Sequence, residues 1–199
     1  MSDVVSILGE CKAMLTGHFL LSSGKHSSQY FQCARLLQYP AKSAIVIESL
    51  VKRINSEIAE GKLEVDSVIG PAMGGIVVAY ELGRQLDKPA FFTERDDEGK
   101  MSLRRGFEIK SGEKIIIAED VVTTGKSTLE TAERIKEMGG VVVASICIVD
   151  RRPADAGEPF PWPLFAAVRL PAVLWDAGEC ELCKEGKSPA IKPGSRKVF

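Results

Sequence analysis

The sequence predicts an α/β protein: a doubly wound, mostly parallel sheet with helices on both faces. Three observations point there. From Val65 onward, short apolar runs alternate with stretches of helical periodicity. Those runs are β-branched and continuously apolar, as strands covered on both faces are. One of them ends in two adjacent carboxylates followed by a hydroxyl- and glycine-rich turn, at the sheet edge where open α/β folds bind ligands. The composition, with 45% hydrophobic and 27% charged residues in 199, is that of a soluble globular chain and excludes disorder, collagen and coiled coil.

Taken in order, Val4, Ile7, Leu8, Cys11 and Leu15 lie at helical spacing, and Gly17 follows, so residues 3–15 read as a short amphipathic helix. The segment GHFLLSSGKHSSQYFQCARLL reads as two short strands joined by a loop around Gly24. Pro40 opens a helix whose face is Ile45, Ile47, Leu50, Val51 and Ile54, ending near Gly61. Residues 65–69 form a strand, GPAMGG a loop, and Ile76, Val77, Tyr80, Leu82 and Leu86 mark a helix. Strands follow at 89–93, 114–118 and 141–149, with the helix TLETAERIKEMGG between the last two. Residues 94–106 carry eight charges in thirteen positions and read as a mobile loop. The tail from Gly178, rich in Gly, Pro and Lys, reads as surface. The expected organisation is one domain over 1–199, with a core of about 40–170.

A net charge of −1 offers no field to hold nucleic acid or an anionic membrane, so neither is expected as a partner. The longest apolar stretch, residues 160–175, is broken by Arg169 and three prolines, too short for a membrane span. Asp3 and Glu10 stand where a secretory signal would be basic and apolar. Five scattered cysteines argue for reduced thiols, and a cytoplasmic protein is expected.

The chemistry concentrates in IIIAEDVVTTGKST, residues 115–128. A strand delivers Glu119 and Asp120, and the turn Thr123, Thr124, Gly125, Lys126, Ser127 opens a helix. Free amides, hydroxyls and the positive end of a helix dipole suit a phosphate, while the carboxylates suit ribose hydroxyls. A Walker A loop would need a glycine where Asp120 stands, and GPAMGG does not fit GxGxxG. The plain alternative is an acidic strand end with an ordinary threonine N-cap.

AEDVVTTGKST resembles the 5-phosphoribosyl 1-diphosphate (PRPP) motif of type I phosphoribosyltransferases. GHFLLSSGKHSSQYF, GPAMGGI and Asp150-Arg151 are similar to orotate phosphoribosyltransferases, over a span from Gly17 to about Arg152. The resemblance implies a type I phosphoribosyltransferase fold with an N-terminal hood at about 1–38, joined by the C-terminal tail. It implies transfer of phosphoribose from PRPP to orotate, giving orotidine 5'-monophosphate and diphosphate in UMP synthesis. It makes Glu119, Asp120, Val121, Val122, Thr123, Thr124, Gly125, Lys126 and Ser127 the PRPP cradle, with Glu119, Asp120 and Lys100 catalytic. Arg95, Lys100 and Arg104 would meet diphosphate, Thr123 and Arg151 would meet orotate, and Tyr30 and Phe31 would lie beside the pyrimidine. A guanidinium suits the orotate carboxylate. Arg151 as a surface arginine, and Tyr30 or Phe31 as core, are the competing readings. Mg²⁺ bound mainly through PRPP and a homodimer sharing the charged loop are further implications.

The chain departs from the family pattern in three places. Ser22 stands where many members have lysine, Met73-Gly74 replaces Tyr-Lys in the GPxxxG loop, and the charged loop has no histidine. Two rivals remain: a purine phosphoribosyltransferase of the same fold, against which Arg151 and SSGKHSSQYF speak, and an RNA-binding pyrimidine regulator, which would need a basic face. No protein metal site is expected. Cys180 and Cys183 form a single CxxC with no second pair or HxxxH nearby, and His18 and His26 are expected at the surface or in hydrogen bonds.

Overall fold

The computed structural model describes residues 2–21, 24–186 and 188–192. Ser22 and the end of the tail lie outside the described residues. In chain order the elements are α1 (Ser2–Glu10), β1 (Met14–Leu20), β2 (His26–Phe31), α2 (Ala34–Leu37), α3 (Pro40–Ala59), β3 (Ser67–Pro71), α4 (Gly74–Leu86) and β4 (Ala90–Arg95). They continue with β5 (Met101–Leu103), β6 (Lys114–Val122), α5 (Lys126–Glu137), β7 (Val141–Asp150), β8 (Leu164–Arg169), β9 (Leu174–Trp175) and α6 (Glu181–Glu185).

Six strands form the main sheet in the order β5-β4-β3-β6-β7-β8, parallel throughout except for β5, which pairs antiparallel with β4. The run KIIIA shows why both faces must be covered. Successive strand side chains point to opposite faces. Ile116 and Ala118 pack with Val46, Leu50 and Ile54 of α3 and Val78 and Leu82 of α4, while Ile115 and Ile117 pack with Ala132 and Ile135 of α5. All four β6 side chains are fully buried. The expected doubly wound parallel sheet is therefore present. A second sheet, β1-β2-β9, joins the N-terminal hairpin to a strand from near the C-terminus.

Four expectations change. The first helix stops at Glu10, because Lys12 takes a left-handed conformation (φ 53) and Leu15 enters β1. Residues 94–106 are not a structureless loop: Glu94 pairs with Ser102 and Arg95 with Met101 in a β hairpin, and Met101 is buried. Strands β8 and β9 were not read from the sequence, since Pro161, Pro163 and Pro171 punctuate that stretch. The tail is not all surface, since Cys180 is fully buried. No helix among the described residues is long and apolar enough to cross a membrane.

The end of β7 is fixed by a buried ion pair. Asp150 is 3% exposed and Arg152 7%. Arg152 donates from Nε and Nη2 to the two Asp150 carboxylate oxygens (3.0 and 2.9 Å) and from its backbone N–H to Oδ1 (3.0 Å). Removing one member of such a pair strands the other charge away from water. Asp150→Ala is therefore expected to cost about 3–5 kcal/mol, measured as a fall in the urea midpoint at unchanged slope.

Candidate active site

β3, β6 and β7 run parallel, so their carboxyl ends meet at one edge of the sheet. There β6 delivers Glu119 and Asp120, and residues 123–125 turn the chain into α5. The N-cap is Gly125 in the left-handed region (φ 74), with no side-chain cap, so the ordinary threonine cap is excluded. Gly125 is required twice over. An added Cβ would be strained at this φ and would stand 2.7 Å from the Phe160 ring. The turn encloses a small pocket lined by Glu119 and residues 121–128. Thr128 lines it with a buried Oγ1 that has no hydrogen-bond partner. The first-turn amides of α5 lack intrahelical acceptors, so the pocket combines donors with a positive helix end.

The acids beside this pocket, Glu119 and Asp120, are half-buried. Burial, reinforced by the neighbouring Asp120 charge, pushes Glu119 up to about 8. Burial also raises Asp120, although its Oδ1 accepts the Val121 N–H at 2.9 Å. On the other side stands the GPAMGG loop, whose Ala72–Met73 peptide is cis. A Cβ on Gly74 would lie 2.4 Å from the Asp120 carboxyl carbon. Glycine at 74 thus leaves the space the carboxylate occupies, a role not read from the sequence.

Arg151 follows directly after β7, its N–H bonded to the Val122 carbonyl at 2.8 Å, which sets it beside exposed Thr123. It is 6% exposed, which overturns the surface reading. Its guanidinium lies 4.8 Å over the Phe31 ring and donates to the Gln29 carbonyl (3.3 Å), but its buried Nε has no partner. Burial pulls its pKa below the ordinary arginine value. Phe31 is both core and neighbour to Arg151, whereas Tyr30 is half-buried, its ring 5.8 Å from that of Phe19. A buried cation with an unused donor, against an aromatic ring, is an arrangement for a planar anion.

The loop cations are not gathered here. Arg95 pairs with Glu130 at 2.6 Å, Lys100 with Glu98 at 2.8 Å, and Arg104 is exposed. Lys100 lines a cavity of about 470 Å³ against Glu130, Glu133 and Arg134 of α5, and neither it nor Arg95 nor Arg104 lines the pocket of residues 119–128. His18 and His26 are not at the surface; they are buried and hydrogen-bonded to each other.

The raised Glu119 has a stability consequence. Between the unfolded value near 4.5 and the folded value of about 8, the folded chain keeps a proton that the unfolded chain has lost, so stability falls as pH rises through that window. Chemical denaturation of the ligand-free protein at pH 5.5 and 8 is expected to show a loss on the order of 1–3 kcal/mol from this group. Glu119→Gln should flatten that slope, and an unchanged slope would remove the buried acid.

The sequence and fold have counterparts. The profile of the phosphoribosyl transferase domain matches residues 35–163. The orotate phosphoribosyltransferase of Caldanaerobacter subterraneus subsp. tengcongensis is 45% identical over 195 residues, covering 98% of this chain and 97% of that protein. The orotate phosphoribosyltransferase of Aeropyrum pernix superposes with a TM-score of 0.69 at 24% identity, over 84% of this chain and 93% of that one. The adenine phosphoribosyltransferase of Saccharomyces cerevisiae reaches 0.60 at 14% identity, over 82% and 99%. These two structural likenesses speak for the fold alone, since enzymes for different bases share it. With the domain profile covering more than half its length and a near full-length relative, this chain belongs to the phosphoribosyltransferase family, in its orotate phosphoribosyltransferase group.

Proposed function

We propose that the turn 123–127 binds the 5-phosphate of PRPP, that Glu119 and Asp120 receive its ribose hydroxyls, and that Arg151 with Thr123 holds orotate beside Tyr30 and Phe31. The chain then transfers phosphoribose to orotate and releases diphosphate. The carrying observation is Arg151: a buried guanidinium with an unpartnered Nε at the same strand edge as the acid pair. A carboxylate on the base satisfies that donor, and a purine offers none.

Breaking the bond at C1 builds positive charge on the sugar and negative charge on the departing oxygen, so the protein acts by position and electrostatics. Ribose hydroxyls donating to Glu119 favour its ionised form and reverse the upward push of burial. Two carboxylates brought to the charged form then face a sugar that is becoming cationic. The orotate nitrogen attacks while Arg151 fixes the ring plane. Glu119 and Asp120 offer oxygen donors that would suit Mg²⁺, a hard cation that keeps oxygen ligands, were it to arrive bound mainly through PRPP. Bound so, it would supply charge neutralisation of the leaving group.

The hairpin cations serve the site of a second copy. Lys100 stands against the outer side of its own α5, away from the turn it would have to reach, and exchange between copies in a homodimer brings it to diphosphate. A cytoplasmic setting accords with five free thiols.

Orotate-dependent diphosphate release from PRPP tests the assignment, with adenine, hypoxanthine and uracil as competitors; turnover with a purine and none with orotate would overturn it. Arg151→Ala is expected to lower kcat/KM for orotate by ~10² or more, an effect of about 3 kcal/mol, with the KM for PRPP little changed. Lys100→Ala should lower kcat by ~10². If the hairpin is exchanged, mixing Lys100→Ala with Asp120→Asn subunits restores activity that neither has alone, and a mixture as inactive as its components would confine the hairpin to its own chain.

A further inference from the structure

We propose that His18, His26, Cys180 and Cys183 form a structural zinc site that fastens the C-terminal segment to the N-terminal hairpin. The four come from three separate places, β1, β2 and the start of α6, and one ligand atom from each lies within 4.8 Å of all the others. His18 Nε2 stands 3.5 Å from Cys180 Sγ and 3.6 Å from Cys183 Sγ, and His26 Nδ1 stands 3.4 Å from Cys183 Sγ. For zinc–sulfur bonds of about 2.3 Å and zinc–nitrogen bonds of about 2.0 Å, the nitrogen–sulfur edge of a tetrahedron is about 3.5 Å. The observed edges are of that length. The His18 and His26 nitrogens are closer, at 2.8 Å, than the ~3.3 Å edge of a loaded tetrahedron. That pair is a hydrogen bond without an ion and opens by about half an ångström around one.

The surroundings are those of a metal site. His18, His26 and Cys180 are buried, and Cys183 is exposed, so an ion has a way in. His18 Nδ1 lies 2.9 Å from the Ser188 carbonyl, an acceptor, so that nitrogen carries the hydrogen and the Nε2 lone pair points into the cluster. Two thiols and two imidazoles are the donors of closed tetrahedral zinc sites. Binding one Zn²⁺ releases one proton from each thiol to solvent and leaves a neutral centre. The backbone already converges here: β9 pairs with β2 at His26↔Trp175, and Ile191 exchanges hydrogen bonds with His18 and Leu20. The site therefore fastens both the segment 174–191 and the hairpin that carries Tyr30 and Phe31.

The test uses the untagged full chain. Metal analysis of protein purified without chelator is expected to give about one zinc per chain. Removing it under reducing conditions and adding Co²⁺ should produce the visible bands of tetrahedral cobalt with a near-ultraviolet sulfur-to-cobalt band, both lost on adding Zn²⁺. Cys183→Ser, at an exposed position, is expected to fold and to bind Co²⁺ more than ~10²-fold more weakly, since losing even an outer-shell partner costs up to that factor. Metal-free protein that takes up no Co²⁺, a Cys180–Cys183 disulfide in the protein as isolated, or wild-type cobalt affinity in Cys183→Ser would each overturn the site. None of these readouts depends on turnover of orotate.

Discussion

Two carboxylates held side by side at the end of β6, partly out of water and with no salt bridge to either among the described residues, are the constraint around which the sheet edge is arranged. Burial pushes both towards the neutral form, Glu119 as far as about 8. Such a pair is unstable as an ion pair of like charges and satisfied once hydroxyl donors or a divalent cation arrive. The surrounding chain preserves that tension. Gly74 leaves the Asp120 carboxylate its space, the Cys33 thiol approaches the Asp120 backbone carbonyl through sulfur, and α5 begins at a separate small pocket beside the acids.

Adjacent arginines after β7 illustrate how the same residue type is divided between structure and chemistry. All three guanidinium nitrogens of Arg152 are engaged: Asp150 takes its fork, and the Gly157 carbonyl accepts from Nη1 at 2.6 Å. Arg151 is equally buried but holds only one carbonyl and a ring face, and its Nε is unused. Evening out the two would cost binding capacity or stability. A buried guanidinium with an unused Nε is tolerated because the Phe31 face and the Gln29 carbonyl offset part of its desolvation.

The alternation from 65 to 149 was legible because each strand carries its own periodicity, and the turn at the end of β6 because acids, hydroxyls, glycine and helix start fall within ten consecutive residues. Local signals of that kind need no knowledge of the fold. What was not legible depends on residues distant in sequence. The spacing of Leu15 suits a helix, and only the left-handed Lys12 ends it. The charged stretch 94–106 has the composition of a loop, yet strand β4 offers it a free edge, and backbone pairing requires no apolar content. Gly74 reads as loop punctuation until Asp120, which is placed by another strand, is set against it.

The hood is the extreme of this rule. His18 and Cys180 are separated by 162 positions, and the near partner of each, His26 or Cys183, does not by itself mark it as a ligand. A CxxC alone lacks half of a tetrahedron, and two histidines on neighbouring strands look like hydrogen-bonding residues. Only the pairing of β9 with β2, together with the Ile191 bridge to Phe19, lays the tail over the hairpin and closes the set. The hairpin that carries Gln29, Tyr30 and Phe31 to Arg151 is a three-stranded sheet only because of that tail. A two-stranded hairpin is marginal by itself in water, so the segment packed against Arg151 draws its order from residues at the far end of the chain.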